Sequence, residues 1–298
     1  DASRKYFIMD QNRCILCSRC IRACAEVVAN HTLNLRERGA DSMVMADLNV
    51  PFGESTCVEC GTCLQVCPTG ALVDAKSAYG GREKDVVHTE TTCMQCSVGC
   101  TLDVVTRYNR LLRVDGVWGS DPNDGLLCVD GRFKPLYEER KRITRPLVRK
   151  DDKLMETSWQ EALGLVADKI KEKDAFVGLT TSATTNEALK AFAALSEQAD
   201  GDAARMEPTA PELGYGEPAQ VKDILDADFI IVAGAEPLDY QRVIGYFIQR
   251  ASDQGVPVAL IAESENELSK CATMVVEYDE AGHVAEAASD ADKPVLVY

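Results

Sequence analysis

Twelve of the thirteen cysteines of this 298-residue chain lie within its first 128 residues, and only Cys271 lies beyond them. Structural disulfides are rare in a reducing cytosol, so cysteines concentrated in this way favour metal binding or redox chemistry. The opening residues, DASRKYFIMD, contain no apolar signal-peptide core, and we therefore expect a cytoplasmic chain. The cysteine pattern consequently constrains the fold more than any other feature.

Charge and hydropathy exclude several kinds of partner. The chain has 32 Lys and Arg against 48 Asp and Glu, a formal net charge of −16, which repels phosphate groups. No apolar run approaches the ~18–20 residues needed to cross a bilayer. Apolar residues make up 46% of the chain, enough for two or three packed domains. We therefore expect no nucleic-acid partner and no membrane partner.

The first two cysteine runs repeat each other at an offset of 43 residues. Both have the spacing C-x-x-C-x-x-C-x-x-x-C. The first run contains Cys14, Cys17, Cys20 and Cys24, and the second contains Cys57, Cys60, Cys63 and Cys67. This spacing resembles that of bacterial two-cluster ferredoxins, in which the fourth cysteine of each run ligates the other cluster. Three thiolates on a tight loop can hold three corners of an Fe4S4 cube, while the fourth corner faces away from that loop.

Crossed ligation assigns these eight cysteines to two [4Fe-4S] sites. Site 1 consists of Cys14, Cys17, Cys20 and Cys67. Site 2 consists of Cys57, Cys60, Cys63 and Cys24. A pair of zinc knuckles is the alternative, but one zinc ion needs only one tetrad, and two identical four-cysteine runs are unusual for zinc. We therefore expect an α+β two-[4Fe-4S] ferredoxin-like domain over residues 1–92.

A third set of cysteines has a different spacing. We define site 3 as Cys93, Cys96 and Cys100 in CMQCSVGC together with Cys128 in GLLCVDGR. The intervening residues 101–116 alternate apolar and polar side chains and predict a hairpin with its turn at 109–110. The pattern resembles the N-terminal [4Fe-4S] domain of molybdopterin oxidoreductases of the formate dehydrogenase type, and a zinc ribbon is the alternative. We expect a small β-rich [4Fe-4S] domain over residues 93–150.

The resemblance to molybdopterin oxidoreductases continues through residues 151–298, where we expect an α/β domain. Ser158 and Glu161 predict a capping box at the start of a helix with one apolar face. That face contains Trp159, Leu163, Val166 and Ile170. Further elements are predicted as a strand at 175–179, a helix with Asn186 as its N-cap, a strand within 226–237, a helix at 240–252 and a strand at 257–262. This order implies a parallel sheet covered on both faces.

Two positions depart from the catalytic members of that family. Formate dehydrogenases have a Cys or selenocysteine followed by His where this chain has Met206 and Glu207. They also have a Lys where this chain has Asp130. Members with pterin continue for several hundred residues, whereas this chain stops at Tyr298. The resemblance therefore implies a truncated α/β domain without a molybdenum site, no molybdopterin and no catalytic residues.

A similar loss marks the large iron–sulfur subunit of respiratory complex I, which this chain also resembles. We interpret the chain as an electron-transfer subunit that relays electrons through three [4Fe-4S] clusters in a cytosolic, NAD-linked oxidoreductase. The complexes implied are hydrogenases or formate dehydrogenases, electron-bifurcating ones included. The implied partners are a flavin- and NADH-binding iron–sulfur subunit and a hydrogenase or formate dehydrogenase catalytic subunit, with ferredoxin as a further candidate.

Two other interpretations remain open. One is a catalytic molybdopterin-dependent formate dehydrogenase fragment, and the other is a zinc-stabilised assembly scaffold. The remaining candidate ligands weigh less. Cys271 is predicted to be a small buried apolar residue. His88 precedes site 3, but four cysteines are available there, so we place it near the cluster or on the surface.

Overall fold

A computed structural model describes residues 3–139, 141–173, 176–181, 184–205 and 219–298. The chain forms two compact units. Unit 1 consists of residues 1–137 and 217–298, and unit 2 consists of residues 138–216. All thirteen cysteines belong to unit 1. The division into domains at 1–92, 93–150 and 151–298 remains a prediction.

The first part of unit 1 contains short helices and two small antiparallel sheets. Its elements are β1 (Phe7–Met9), α1 (Arg19–Arg22), a π-helical turn (Ala23–Val27), β2 (Leu33–Arg36), β3 (Met43–Ala46), α2 (Thr62–Val66) and β4 (Leu72–Asp74). Strand β1 pairs with β4, and β2 pairs with β3. Because β1 precedes the first cysteine run and β4 follows the second, their pairing closes this segment on itself.

A three-stranded antiparallel sheet follows. It consists of β5 (Val87–Thr92), β6 (Thr101–Arg107) and β7 (Arg110–Gly116), and the segment ends with α3 (Val129–Arg132) and α4 (Lys134–Tyr137). The hairpin predicted over 101–116 is present, but its turn is at Tyr108 and Asn109, one residue earlier than predicted. Both turn residues have positive φ, 49° and 59°. Such a turn matches the twist of the flanking strands, and Asn tolerates its backbone conformation.

Unit 2 contains one antiparallel hairpin and one parallel strand pair. Its elements are β8 (Leu147–Lys150), β9 (Lys153–Glu156), α5 (Trp159–Lys171), β10 (Val177–Thr180), α6 (Asn186–Gln198) and β11 (Asp202–Arg205). Strands β8 and β9 form the hairpin, and β10 pairs in parallel with β11.

Local capping in unit 2 follows the prediction in part. The Ser158 hydroxyl accepts a hydrogen bond from the Glu161 N–H at 3.2 Å, as expected, while the Glu161 carboxylate accepts from Thr157 and Lys150. Helix α6 begins at Asn186 with Thr185 as its N-cap, because the Thr185 hydroxyl accepts from the Ala188 N–H; the N-cap predicted at Asn186 was wrong by one residue.

The apolar face predicted for α5 is not buried. Trp159, Leu163 and Val166 are 67%, 61% and 54% exposed. The periodicity therefore predicted the helix correctly, but not what its apolar face packs against.

Unit 1 resumes with a parallel sheet whose strand order is β14, β13, β12, β15. Its elements are β12 (Phe229–Ala233), α7 (Arg242–Asp253), β13 (Val258–Ile261), β14 (Met274–Val276), α8 (Ala281–Ala288) and β15 (Pro294–Val297). All four residues of β13 are buried, as expected for a parallel strand covered on both faces. In the described residues, β10 and β12 belong to separate sheets, although the sequence order implied a single one.

Short 3₁₀ helices connect these elements. Those in the described residues are Gln11–Arg13, Gly39–Asp41, Phe52–Glu54, Glu83–Asp85, Val221–Leu225, Glu267–Lys270 and Tyr278–Glu280. Within the same residues, no helix combines the length and the apolar character needed to cross a membrane.

One hydrophobic core joins the cysteine-rich part of unit 1 to its parallel sheet. Ile230 of β12, together with Tyr246 and Phe247 of α7, packs in the same core as Cys93 and Cys100. The α/β segment after residue 218 therefore packs against the part of unit 1 that carries Cys93 and Cys100.

Candidate metal centres

The two repeated cysteine runs adopt the same backbone conformation. Leu16 and Ser18 of the first run have φ of 55° and 60°, and the equivalent Glu59 and Gly61 of the second have φ of 55° and 72°. Residues in this left-handed region turn the chain tightly, so the loop curls around a point and a helix follows it. The sequence repeat is therefore also a repeat of local structure.

The cysteines assigned to site 1 line one cavity. The cysteines of this cavity are Cys14, Cys17, Cys20 and Cys67. Its other walls are mainly apolar or small, and Met9, Val44 and Leu72 are among them. Because Cys67 belongs to the second run, the fold brings together residues of both runs here.

The cysteines assigned to site 2 line a second cavity. They are Cys24, Cys57, Cys60 and Cys63. Phe7, Leu33 and Phe52 contribute apolar walls. Each of the two cavities thus contains one cysteine from the other run, while crossed ligation of the clusters remains a prediction.

The cysteines assigned to site 3 meet between β5, β6 and α3. Cys93 and Cys100 are buried, and the Cys93 N–H donates to the Cys100 carbonyl at 2.8 Å. A Cβ placed on Gly131 would lie 3.4 Å from the Cys93 sulfur and 4.0 Å from the Cys128 sulfur, so both thiols adjoin this glycine. Burial raises the pKa of Cys100, and so does the negative charge of its three partners, which are Cys93, Cys128 and Cys96.

Burial and crowding disfavour free thiolates at sites 1 and 2. Burial, with a smaller contribution from neighbouring cysteine charge, raises the pKa of Cys20 to about 11 and that of Cys57 to about 12. The pKa of the fully buried Cys63 is raised well above its usual value for the same reasons. Thiols in such surroundings ionise only when a metal supplies compensating positive charge.

Backbone N–H groups provide direct support for ionised sulfur. Burial alone would raise the pKa of Cys67, but hydrogen bonds from the N–H groups of Leu72, Thr69 and Ala71 outweigh it and lower this pKa. Hydrogen bonds of this type to ligand sulfurs are one of the means by which a protein adjusts an iron–sulfur potential. Each site has at least one such donor within 3.5 Å: the N–H groups of Leu72 on Cys67 (3.4 Å), Glu59 on Cys57 (3.4 Å) and Gly131 on Cys128 (3.5 Å).

Sites 1 and 2 each bring four cysteines to the wall of one cavity. Four thiolates can hold either one tetrahedral Zn²⁺, about 2.3 Å from each sulfur, or one [4Fe-4S] cluster. The arrangement of the cysteines is compatible with both groups.

Comparison with known families agrees with this geometry. A sequence model described as a 4Fe-4S dicluster domain matches residues 13–71. A molybdopterin oxidoreductase Fe4S4 domain matches residues 87–137, and the molybdopterin oxidoreductase domain itself matches residues 142–289. This chain belongs to the molybdopterin oxidoreductase family. The order of its matched domains is the order predicted from the sequence.

Proteins similar to this chain include subunits of NADH-quinone oxidoreductases. An NADH-quinone oxidoreductase subunit of Rhizobium meliloti is 38% identical over 188 residues, which are 62% of this chain and 22% of that protein. A second NADH-quinone oxidoreductase subunit, from Thermus thermophilus, is 32% identical over 233 residues, which are 77% of this chain and 29% of that protein.

A formate dehydrogenase-like protein of Staphylococcus aureus is 29% identical over 303 aligned positions, which are 83% of this chain and 31% of that protein. The chain spans less than a third of the length of each of these three relatives.

Sequence reasoning missed a residue that joins two sites of this molybdopterin oxidoreductase chain. Arg132 is only 2% exposed and follows Cys128 by four positions. Its guanidinium donates to four acceptors, which are Cys60 O (2.8 Å), Val114 O (3.0 Å), Asp115 Oδ1 (3.0 Å) and Gln65 Oε1 (2.8 Å). Arg132 therefore holds the site 2 loop against the segment that carries site 3. The residues VDGR contain the arginine, but nothing in them indicates its partners.

The acidic residue beside site 3 has a cationic partner. Asp130 stands where catalytic members of the family have a lysine. Arg242 of α7 lies with its Nη1 3.6 Å from the Asp130 carboxylate. The positive charge near site 3 is thus supplied by a residue more than 100 positions away. The departure at Met206 and Glu207 lies outside the described residues.

His88 and Cys271 lie apart from the three sites. The His88 ring is bonded to Asp103 at 2.6 Å and to Glu83 at 2.7 Å, on the exposed side of β5. The Cys271 thiol donates to the Leu268 carbonyl at 3.2 Å and packs against the core of unit 1. His88 thus lies on the surface, one of the two positions predicted for it, whereas Cys271, predicted to be buried, is half-buried.

Proposed function

We propose that this chain is an electron-transfer component that holds three [4Fe-4S] clusters. The observation that carries this proposal is the arrangement of twelve cysteines in three groups of four, two of which draw a thiol from each other's run. The ligands proposed are those of sites 1, 2 and 3. The names of the relatives, which are NADH-quinone oxidoreductase subunits and formate dehydrogenase-like proteins, support an electron-transfer role.

The chain's own residues would bind, shield and adjust these groups. A [4Fe-4S] cluster supplies reversible one-electron chemistry when it is bound by four thiolates. The apolar walls of sites 1 and 2 limit the access of water, and the N–H donors on Cys57, Cys67 and Cys128 stabilise ligand charge. Arg132 fixes the loop of site 2 relative to α3, and this contact keeps the distance between neighbouring redox centres constant.

We further propose that the chain binds no molybdopterin and turns over no substrate by itself. The support comes from the chemistry of two positions. Met206 and Glu207 stand where a formate dehydrogenase has its metal-ligating Cys or selenocysteine and its His, and Asp130 stands where it has a lysine. A pterin and its phosphates are anionic, and an acid at position 130, already paired with Arg242, would not attract them.

The proposed setting is a cytoplasmic, NAD-linked hydrogenase or formate dehydrogenase complex, an electron-bifurcating type included. The proposed partners are a flavin- and NADH-binding iron–sulfur subunit at one end and a catalytic subunit at the other, with ferredoxin as a further candidate. Support comes from the relatives' names and from the logic that a series of redox centres connects two reactions.

The test uses the complete complex and the purified chain. Changing Cys93, Cys96 and Cys100 together to Ser should abolish electron transfer between the two ends of the complex. The matched control is Cys271→Ser, which should leave transfer unchanged because this thiol bonds only to a carbonyl in the described structure. Undiminished transfer in the triple variant would contradict the proposal.

Metal analysis separates the alternatives. Stoichiometric zinc would support the assembly scaffold, and bound molybdenum would support a catalytic fragment. Reduction of a viologen by formate or hydrogen with the purified chain alone would also contradict the electron-transfer proposal.

A further inference from the structure

Tyr246 of α7 is a buried residue whose hydroxyl lacks a hydrogen-bond acceptor or donor among the described residues. Its side chain is 1% exposed, and among the described residues its oxygen has no hydrogen-bond partner. Leaving a buried hydroxyl without a hydrogen-bond partner destabilises a fold. Native proteins rarely tolerate this without a bound water, ion or functional reason.

The surroundings of Tyr246 connect it to site 2 and site 3. It packs in the same core as Cys60 of site 2 and Cys128 of site 3. It also lines a surface cavity with Cys57 and Val129, which are a site 2 ligand and the neighbour of a site 3 ligand.

A second contact locates this face of α7. Arg242 lies four residues, or about one helical turn, before Tyr246, so both side chains are on the same face of the helix. Arg242 is paired with Asp130 at 3.6 Å, two residues after Cys128. One turn further along that face, the Tyr246 ring packs in the same core as Cys60 and Cys128.

Electrostatics agree with this placement. The pKa of Tyr246 is raised well above its usual value, first by burial and then by the negative charge of Cys60 and Cys128. The tyrosine hydroxyl is a hydrogen-bond donor. Negatively charged sulfur ligands can accept the hydrogen bond that this hydroxyl donates.

We propose that the Tyr246 hydroxyl donates a hydrogen bond to a sulfur of the cluster at site 2, beside Cys60, and thereby raises the reduction potential of that cluster. The inference rests on the proposed iron–sulfur occupancy of site 2. Reduction adds negative charge to the cluster, so a donor aimed at its sulfur stabilises the reduced form more than the oxidised form. Tyr246 is a positioning and tuning residue in this account and transfers no electron itself.

The test is the change Tyr246→Phe in the full chain, loaded with iron and sulfide under anaerobic conditions. This change removes the hydroxyl and keeps the ring, so packing should persist. We expect the reduction equilibrium of the site 2 cluster to become about tenfold less favourable, which corresponds to a fall of about 59 mV for one electron. Redox titration followed by EPR gives this potential directly.

Tyr137→Phe is the matched control. Tyr137 also has a buried hydroxyl without a partner in the described residues, but it packs against Tyr6 rather than against a cysteine. Its loss should leave all cluster potentials unchanged. An equal shift in both variants would show a general effect of removing a hydroxyl and would overturn the proposal.

A second substitution gives the opposite sign. Site-specific replacement of Tyr246 by 3-fluorotyrosine keeps the ring and makes the hydroxyl a stronger donor, so the site 2 potential should rise. If neither substitution at position 246 moves that potential, the hydroxyl is satisfied by water in the adjoining cavity and the proposal is wrong. If the unmodified chain takes up no iron at site 2, the proposed function itself fails, which is a separate and earlier outcome.

Discussion

The Nε of Arg132 donates a hydrogen bond to the main-chain oxygen of Cys60 at 2.8 Å. The two residues are 72 positions apart, and they join the helix that follows Cys128 to the loop that carries three thiols of site 2. Because the arginine is buried and its charge is shared with Asp115, this contact holds two parts of unit 1 in one arrangement.

We therefore expect Arg132→Met to lower the free energy of unfolding of the loaded chain by about 3–5 kcal/mol, the usual cost of breaking a buried ion pair. Anaerobic denaturant titration measures this. Arg113→Lys is the control, since Arg113 also pairs with Asp115 but is half-buried and keeps its charge as lysine; it should cost about 1 kcal/mol or less. Equal losses in the two variants would contradict the special role of Arg132.

Metal content tests the number of sites. Three sites with one [4Fe-4S] cluster each predict about 12 iron atoms and about 12 acid-labile sulfides per chain. Elemental analysis and sulfide assay of anaerobically prepared protein measure both. An iron content of about eight atoms per chain would indicate two clusters instead of three. Stoichiometric zinc would contradict the iron–sulfur assignment.

If the two cysteine runs exchange their fourth ligands, serine substitutions at Cys24 and Cys67 should have reciprocal effects. Cys24→Ser should damage the cluster at site 2 and spare site 1, although Cys24 belongs to the first run. Cys67→Ser should damage site 1 and spare site 2. EPR spectra of the reduced variants distinguish the two clusters. Loss of the site that holds the variant's own run would show uncrossed ligation.

Alanine substitutions at Gly61 and Gly39 separate the cost of a strained backbone from the cost of a side-chain collision. Both have left-handed φ, +72° and +67°, so alanine at either is strained by about 1–2 kcal/mol. A Cβ at Gly39 meets nothing within 4 Å, whereas one at Gly61 would collide with the Arg132 side chain. We expect Gly61→Ala to cost a further amount of about 1–3 kcal/mol and to reduce iron at site 2, and Gly39→Ala to leave iron content unchanged. Denaturant titration and iron analysis check both expectations.

His88 predicts a pH dependence of stability. A hydrogen bond to Asp103, opposed in part by burial, raises the pKa of His88, and Glu83 adds to the rise. A raised pKa in the folded state means that the charged histidine stabilises the fold. This contribution is complete below the unfolded pKa of about 6.5 and is lost as pH rises through the folded value. Wild-type protein should therefore exceed His88→Gln in melting temperature at about pH 5.5, and the difference should shrink by about pH 8.5. A constant difference would show that the charge is not involved.

Local sequence determined a large part of this protein. The spacing of each cysteine run specifies a tight loop, because few backbone paths place three thiols around one point, and the two loops adopt matching left-handed residues at equivalent positions. The predicted hairpin and helices exist for similar reasons, since turn residues, caps and apolar periodicity act within a few positions. Their errors, at the hairpin turn and at the α6 N-cap, are of one residue.

Only the tertiary structure decided what lies between the sites. Arg132 on Cys60, Arg242 on Asp130 and Tyr246 beside Cys60 and Cys128 are all contacts between residues far apart in sequence. Likewise, the periodicity of α5 did not show that Trp159 would be exposed, and strand order did not show that β10 and β12 would join separate sheets. Periodicity encodes which side of an element is apolar, but the partner of that side is chosen by the packing of the whole chain. The role of a buried charge or hydroxyl therefore depends on neighbours that are distant in the sequence.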